Sequence, residues 1–322
     1  MPAHHPHPGA TQHPDPVLSI ERLIKHYRGR TAPANDGISL TARPGRVLGI
    51  LGHNGAGKTT LVNQIVGLLK PSSGTIRVAG IDAVAHPARA RELVSVQAQA
   101  NVPITGLTPR TAIELVGRIR GGERGEVRRR ASQLLEELDL GAWADTPAQK
   151  ISGGVARLTA FCMAAVRPGA LVILDEPTND VDPARRRLLW DAIRATAEAG
   201  AGVLLVTHNV REAERAVDDL VVLDRGRVIG SGTPAQLTAH LRSQLFLELD
   251  GTALPRLPDD LEAVPTGPAV ATAAIPTERA AEAVAWAQAA VSRGDIERFS
   301  LTPASLEDAY LELVGTDAGV AA

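Results

Sequence analysis

Short apolar runs, split by glycine and proline, begin the patterned part of the chain at Val17: VLSIERL, then GISLTARPGRVLGILG, then GTIRVAGID. Their spacing and the Pro44-Gly45 turn predict strands and hairpins. The period then lengthens. A glycine-rich loop leads into LVNQIVGLLK, which predicts a helix stopping before Pro71. Residues 108 to 165 predict a mostly helical block made of TPRTAIELVGRIRG, EVRRRASQLLEELDL and SGGVARLTAFCMAAV. Two continuous apolar runs, LVILDE and GVLLVTH, flank the helix PARRRLLWDAIRATAEAG. Such strands alternating with helices predict a parallel α/β core, with the helical block inserted into it.

After about residue 240 the composition shifts toward Ala, Pro and Thr. LFLELDG and ATAAIP predict strands, and TERAAEAVAWAQAAVSRG a helix with Ala280, Val284, Ala287 and Val291 on one face. IERFSL and SLEDAYLELVG complete a strand and a helix. The expectation is a small second α/β domain over 241–322, entered through a low-complexity loop near Pro255 to Pro268. No internal repeat is visible. Residues 1–16 hold five prolines and four histidines with almost no apolar residues, which predicts a disordered tail. The alternative for His4, His5, His7 and His13 is a metal-binding tract.

Composition narrows the function classes. Across 322 residues, 34 basic and 36 acidic side chains leave a net charge of −2, which speaks against a protein built to grip nucleic acid. No stretch approaches the roughly 20 apolar residues of a membrane-spanning helix, and the N-terminus lacks a basic-then-apolar signal pattern. The expectation is a soluble chain that is not secreted. The single cysteine, Cys162, excludes an intramolecular disulfide framework and a multi-cysteine zinc site. A reducing cytosol fits. Only eight residues are aromatic, so an aromatic at a special position stands out. The arginine runs 128–130 and 185–187 predict solvated helix faces.

The candidate chemistry starts at Gly52. The segment GHNGAGKT, Gly52 to Thr59, matches G-x-x-x-x-G-K-[ST] and follows the apolar run VLGIL. Glycines let backbone N–H groups converge on phosphate oxygens, Lys58 reaches the β- and γ-phosphates, and the Thr59 hydroxyl ligates Mg²⁺. His53, Asn54, Gly55, Ala56, Gly57 and Thr60 complete the phosphate-binding segment. LVILDE ends in Asp175 and Glu176, the first suited to holding the metal through water and the second to polarising an attacking water. GVLLVTH ends in His208, at the end of a core strand where ligands of open α/β sheets bind. Ser152-Gly153-Gly154 opens a predicted helix, a natural anion site, and lies 23 positions before Asp175.

That order of phosphate loop, Ser-Gly-Gly, Asp-Glu and His resembles the ATP-binding cassette (ABC) ATPases over residues 17 to about 236. The resemblance implies an α/β fold: a P-loop NTPase (RecA-like) core with an N-terminal antiparallel β subdomain and an inserted α-helical subdomain, about 100–165, within residues 17–240. It implies ATP and Mg²⁺ as cofactors and a head-to-tail pair, a homodimer or two paired ATPase subunits. Ser152, Gly153 and Gly154 of one protomer would then bind the γ-phosphate of the partner's ATP. By the same resemblance Tyr27 stacks on adenine, Asp182 contacts the opposite protomer, and His208 is the switch histidine. The glutamine that joins the Mg²⁺ shell and links to the membrane partner is Gln97 or Gln99. Gln99 is preferred for its spacing to Gly106-Leu107-Thr108.

Two departures stand out: Val155 and Ala156 follow Ser-Gly-Gly where Gln and basic residues are usual, and Asn179-Asp180 precede the Asp182 loop. They put the cross-dimer contacts and the hydrolysis rate in question. SLEDAYLELVG resembles the closing segment of the bacterial drug- and antibiotic-exporter branch. The expected protein is thus an ATPase subunit that drives export of a hydrophobic, drug-like substrate through a separate integral-membrane permease. It would sit on the cytoplasmic face of the cell membrane and bind no nucleic acid. The alternatives are an importer ATPase and a soluble, non-transport ABC ATPase.

Overall fold

The computed structural model describes residues 15–99, 104–251, 263–267 and 269–318. His4, His5, His7 and His13 lie outside the described residues, as does most of the expected loop from Pro255 to Pro268. Among the described residues no helix is long and apolar enough to cross a membrane. The chain divides into two compact units between Ser231 and Gly232.

The first unit holds two sheets. Strands β1 (Leu18–Lys25), β2 (Asn35–Ala42), β4 (Ser73–Val78) and β5 (Ile81–Asp82) form a four-stranded antiparallel sheet in the order β2-β1-β4-β5. Ile20 pairs with Leu40 on one side and Ile76 on the other, so one face of alternating apolar residues meets the core. Strands β3 (Val47–Leu51), β6 (Val94–Gln97), β7 (Leu171–Asp175), β8 (Gly202–Thr207), β9 (Asp219–Asp224) and β10 (Arg227–Gly232) form the second sheet, ordered β10-β9-β3-β8-β7-β6. From β9 to β6 its neighbours run parallel. β3, β7 and β8 are buried along their whole length, which is why they read as unbroken apolar runs. The start of β3 is fixed by Asp218, whose carboxylate accepts from the Val47 N–H at 2.7 Å and from Arg194 at 2.9 Å.

Among the described residues six α-helices accompany these sheets up to β8: α1 (Lys58–Ile65), α2 (Pro87–Glu92), α3 (Pro109–Ile119), α4 (Arg124–Glu137), α5 (Gly153–Ala165) and α6 (Pro183–Glu198). α7 (Val210–Ala216) follows β8. The helical block is α3, α4 and α5, which pack on one another. Each begins where a side chain takes a leading N–H: Thr108 accepts from Thr111, Glu123 from Gly125 and Glu126, and Ser152 from Val155.

In three places the first unit departs from the sequence pattern. α1 ends well before Pro71, because Gly67 takes φ +69° and the N–H groups of Gly67 and Leu68 close onto the carbonyls of Gln64 and Asn63. The Pro44-Gly45 turn forms no hairpin; it carries the chain from β2 in one sheet to β3 in the other. Arg185 is not a solvated side chain. Its guanidinium lies 4.4 Å from the Trp143 ring centroid and bonds Asp139 and Asp182 at 2.7 and 3.0 Å.

The second unit begins earlier than residue 241. Thr233 caps α8 (Pro234–Leu237) in a capping box with Gln236, and α8 packs against α10 (Leu306–Ala318). Strands β11 (Gln244–Asp250), β12 (Ala263–Gly267), β13 (Val270–Pro276) and β14 (Arg298–Pro303) form an antiparallel sheet ordered β12-β13-β11-β14. β12 thus occupies part of the stretch read as loop. Helix α9 (Ala280–Arg293) covers the face carrying Leu247, Leu249, Ala273 and Ile275. The face it buries is Ala283, Ala287 and Ala290 beside Trp286, rotated from the expected one, and Val291 is exposed.

Candidate functional site

Four parallel strands end on one side of the second sheet, and their ends build the site. β3 ends at Leu51 and hands over to the phosphate loop; β7 ends at Asp175, β8 at Thr207 and β9 at Asp224. The loop Gly52–Thr59 closes onto α1 at Gly57, whose φ is +104°. A side chain there would collide with the Ala34 carbonyl and come within 2.6 Å of Asn35 Nδ2, so the position admits only glycine. Asn35 donates to the Gly57 carbonyl at 3.1 Å and accepts from Gln64 at 2.7 Å, which holds the loop against α1. The Lys58 ammonium donates to the carbonyls of Gly52 and His53 at 2.5 and 3.2 Å.

A cavity of about 1080 Å³ opens over this loop. Of the expected residues it gathers Tyr27, His53, Asn54, Gly55, Gly57, Lys58, Thr59, Thr60, Gln99, Asp175 and Glu176. Gly52 and Ala56 support the loop from behind, Ala56 being fully buried. Tyr27 is partly exposed at the cavity, and its hydroxyl lies 3.4 Å from the Thr60 hydroxyl.

The two acids differ in environment. Burial, and then the neighbouring Glu176 carboxylate, push the Asp175 carboxyl up to about 6 against the pull of Lys58 and Arg157. Burial likewise lowers Lys58, against the pull of Glu176 and Asp175. Glu176 is buried, and its oxygens accept from the Thr207 hydroxyl at 3.1 Å and from His208 Nδ1–H at 2.7 Å. Its main chain sits at φ +50°, a left-handed conformation costly for a residue with a side chain. His208 reaches the site through Glu176 rather than lining the cavity.

Ser152, Gly153, Gly154 and Asp182 lie outside the cavity. Ser152 and Gly153 are exposed. Gly154 abuts the Asp180 carbonyl with no room for a Cβ. Asp182 caps α6, accepting from the N–H groups of Ala184 and Arg185. Of the two candidate glutamines, Gln99 lines the cavity, while Gln97 is fully buried and donates to the Arg157 carbonyl at 3.2 Å.

Several contributors escaped the sequence reading. Arg157, buried in α5, donates to the Ala98 carbonyl at 3.0 Å and so holds the chain next to Gln99. Its position beyond Ser-Gly-Gly was the available signal. Asp224, buried at the end of β9, bonds His53. Asn35 and Gln64 form the bracket behind Gly57. Arg28, Arg30 and Arg225 add positive charge to the cavity wall.

Comparison with known proteins places the chain in a family. The ABC transporter family profile matches residues 35–179. The chain is 36% identical over 242 residues to the Nod factor export ATP-binding protein I of Ralstonia nicotianae, covering 75% of each chain. It is 33% identical over 310 residues to the daunorubicin/doxorubicin resistance ATP-binding protein DrrA of Streptomyces peucetius, covering 94% of this chain and 93% of the relative. A solved ATP-binding subunit of an ABC transporter superposes with a TM-score of 0.63 at 28% identity, covering 70% of this chain and 92% of the other. A dimeric ATP-binding cassette holding ADP and phosphate after hydrolysis shares the fold, with a TM-score of 0.61 at 23% identity over 67% of this chain and 98% of the other. With a phosphate loop, an acidic pair and a P-loop NTPase fold in one place, the chain belongs to the ATP-binding proteins of the ABC transporter family and is an ATPase whose hydrolysis of ATP is coupled to transport.

Proposed function

We propose that this ATPase powers export of a hydrophobic, drug-like substrate through a separate transmembrane permease, at the cytoplasmic face of the membrane. The observation that carries the reading is the convergence of the phosphate loop, Gln99, Asp175 and Glu176 on one cavity. Likeness to a drug resistance ATP-binding protein along 94% of the chain supports the direction of transport.

In this reading the N–H groups of the loop and the first turn of α1 hold the β- and γ-phosphates, with Lys58 as the fixed cation. Tyr27 offers its ring to adenine. Glu176, oriented by Thr207 and His208, accepts the proton of the attacking water, and His208 senses the γ-phosphate through that carboxylate. Among the described residues no group of three or more His, Cys, Asp or Glu side chains could hold a metal by itself. The Thr59 hydroxyl, the Asp175 carboxylate and the Gln99 amide oxygen are the sparse oxygen set that suits Mg²⁺ arriving with a nucleotide. Bound there, the ion would neutralise charge on the phosphate oxygens.

Ser152 and Gly153 stand exposed, Gly154 is half-buried against Asp180, and all three lie away from their own chain's cavity, as expected if they complete a partner's site in a head-to-tail homodimer or ATPase pair. ATP touching both protomers only in the closed pair would shift the open–closed equilibrium by its differential affinity. For the permease, α3 exposes Leu115 and Ile119 one turn apart, and Val96 is exposed beside a cavity of about 160 Å³ shared with Val116 and Met163. These apolar side chains lie close in sequence to the Gln99 segment and suit a buried partner helix.

Replacing Glu176 with Gln tests the catalytic assignment. ATP affinity should persist, phosphate release should stop, and a nucleotide-bound dimer should accumulate on gel filtration. Phosphate release at the native rate overturns Glu176 as the base.

A further inference from the structure

We propose that Arg157 is a positioning residue of the ATP site: by holding the main chain at Ala98 it aims Gln99 at the Mg²⁺ that accompanies the nucleotide. The inference rests on the reading of Gln99 as part of the Mg²⁺ set and names what keeps it in place.

The ladder between β6 and β7 runs out at Gln97, opposite Leu174. Ala98 and Gln99 therefore leave the sheet just where Gln99 comes to line the cavity. A side chain takes over from the ladder. Arg157, in the second turn of α5, donates through Nη1 to the Ala98 carbonyl at 3.0 Å, and its own carbonyl accepts from Gln97 Nε2 at 3.2 Å. The two bonds run in opposite directions between α5 and consecutive residues at the end of β6. Gln99 is the next residue along. A neutral side-chain amide is a weak ligand for a hard cation, so what it contributes depends on being held in the right place from behind.

Packing does not account for an arginine at this position. It is 4% exposed, and Leu158, Phe161 and Cys162 of the same helix are buried apolar residues. A side chain of that kind would fill the place without bringing a charge into the core. The hydrogen bonds around it are also incomplete. The Nε–H of Arg157 and Oε1 of Gln97 are both buried without a partner, although one is a donor and the other an acceptor on two residues already in contact. The guanidinium is thus not arranged to satisfy its own surroundings. It is arranged to reach Ala98.

The test is titration calorimetry of the full chain with a non-hydrolysable ATP analogue, once with Mg²⁺ and once with a chelator. The native chain should bind more tightly with Mg²⁺. In Arg157→Gln, whose amide keeps an N–H near the place of Nε but ends short of Ala98, that gain should shrink about fivefold, the value of one hydrogen bond of ordinary strength, while affinity without metal stays within about twofold. Equal losses with and without metal mark a merely structural role and overturn the proposal, as does an undiminished gain. Arg157→Met, which has no donor, should repeat the result, and it replaces the Gln variant if thermal melting shows that the latter does not fold. The Arg157 charge also reaches Asp175, so a double variant isolates the route through Gln99. Gln99→Ala should itself lose the gain, and adding Arg157→Gln should cost less than the product of the two single losses. The full product overturns Gln99 as the route. A native chain that binds the analogue but gains nothing from Mg²⁺ overturns the reading of Gln99 and this proposal with it, while the phosphate loop stands. One that binds no analogue overturns the site reading itself, and this proposal with it.

Discussion

Asp175 ends a strand buried on both faces and stands beside a second carboxylate, so at this residue folding and function pull in opposite directions. Its carboxyl is raised from an ordinary 3.8 to about 6. A raised acid destabilises the folded state once ionised: the penalty is absent below about pH 4 and complete above about pH 6. Asp175→Asn should therefore melt higher than the native chain at pH 7.5 without nucleotide. The gain is about 1–2 kcal/mol after allowance for solvent screening, or about 2–6 °C. At pH 4 the two melting temperatures should coincide. A lower melting temperature for the variant at pH 7.5 would contradict this account. Glu176 shows the same tension in its backbone, held at φ +50° by its place after β7, by its own N–H, which donates to the Val206 carbonyl of β8 at 2.8 Å, and by two side-chain hydrogen bonds.

At the scale of elements, the segment between β7 and α6 is pressed by the helical block. Gly154 meets the Asp180 carbonyl at a distance that excludes a Cβ. Gly154→Ala must displace that main chain, with an expected loss of about 1–3 kcal/mol, read as a melting temperature lower by several degrees. An unchanged melting temperature would show that the contact is slack. Much of this arrangement was legible beforehand. The phosphate loop, β3, β7 and β8 announce themselves because glycine spacing and unbroken apolar runs are local signals. The bracket of Asn35 and Gln64 and the bond from Asp224 to His53 were not, since those partners lie 29 and 171 positions apart and each is an ordinary residue alone. The end of α1 was missed because Gly67 sits inside an apolar run that looks helical. α9 was misrotated because nine of its fourteen positions are Ala or Val, leaving little contrast between faces. Arg185 was misread because a run of three arginines gives no hint of the Trp143 ring waiting for one of them.

For the whole molecule, the exposed apolar residues of α3, Leu115 and Ile119, are where the proposed permease contact can be tested. Ile119 is 74% exposed, so Ile119→Glu should leave stability within about 0.5 kcal/mol. If this face receives the permease, the variant should keep its ATPase site yet fail to copurify with membranes from cells that also make the permease. Retention at the native level would move the docking face elsewhere. The packing of Gly154 on Asp180 has a consequence at this scale as well. Asp180 lies four residues beyond Glu176, while Gly154 belongs to the stretch that would seat the other protomer's nucleotide. In a closed pair, whatever shifts Gly154 is felt first by the peptide next to the opposite catalytic carboxylate. The two ATP molecules would then be consumed in turn or in concert rather than as independent events. Turnover plotted against ATP concentration should bend away from a simple hyperbola.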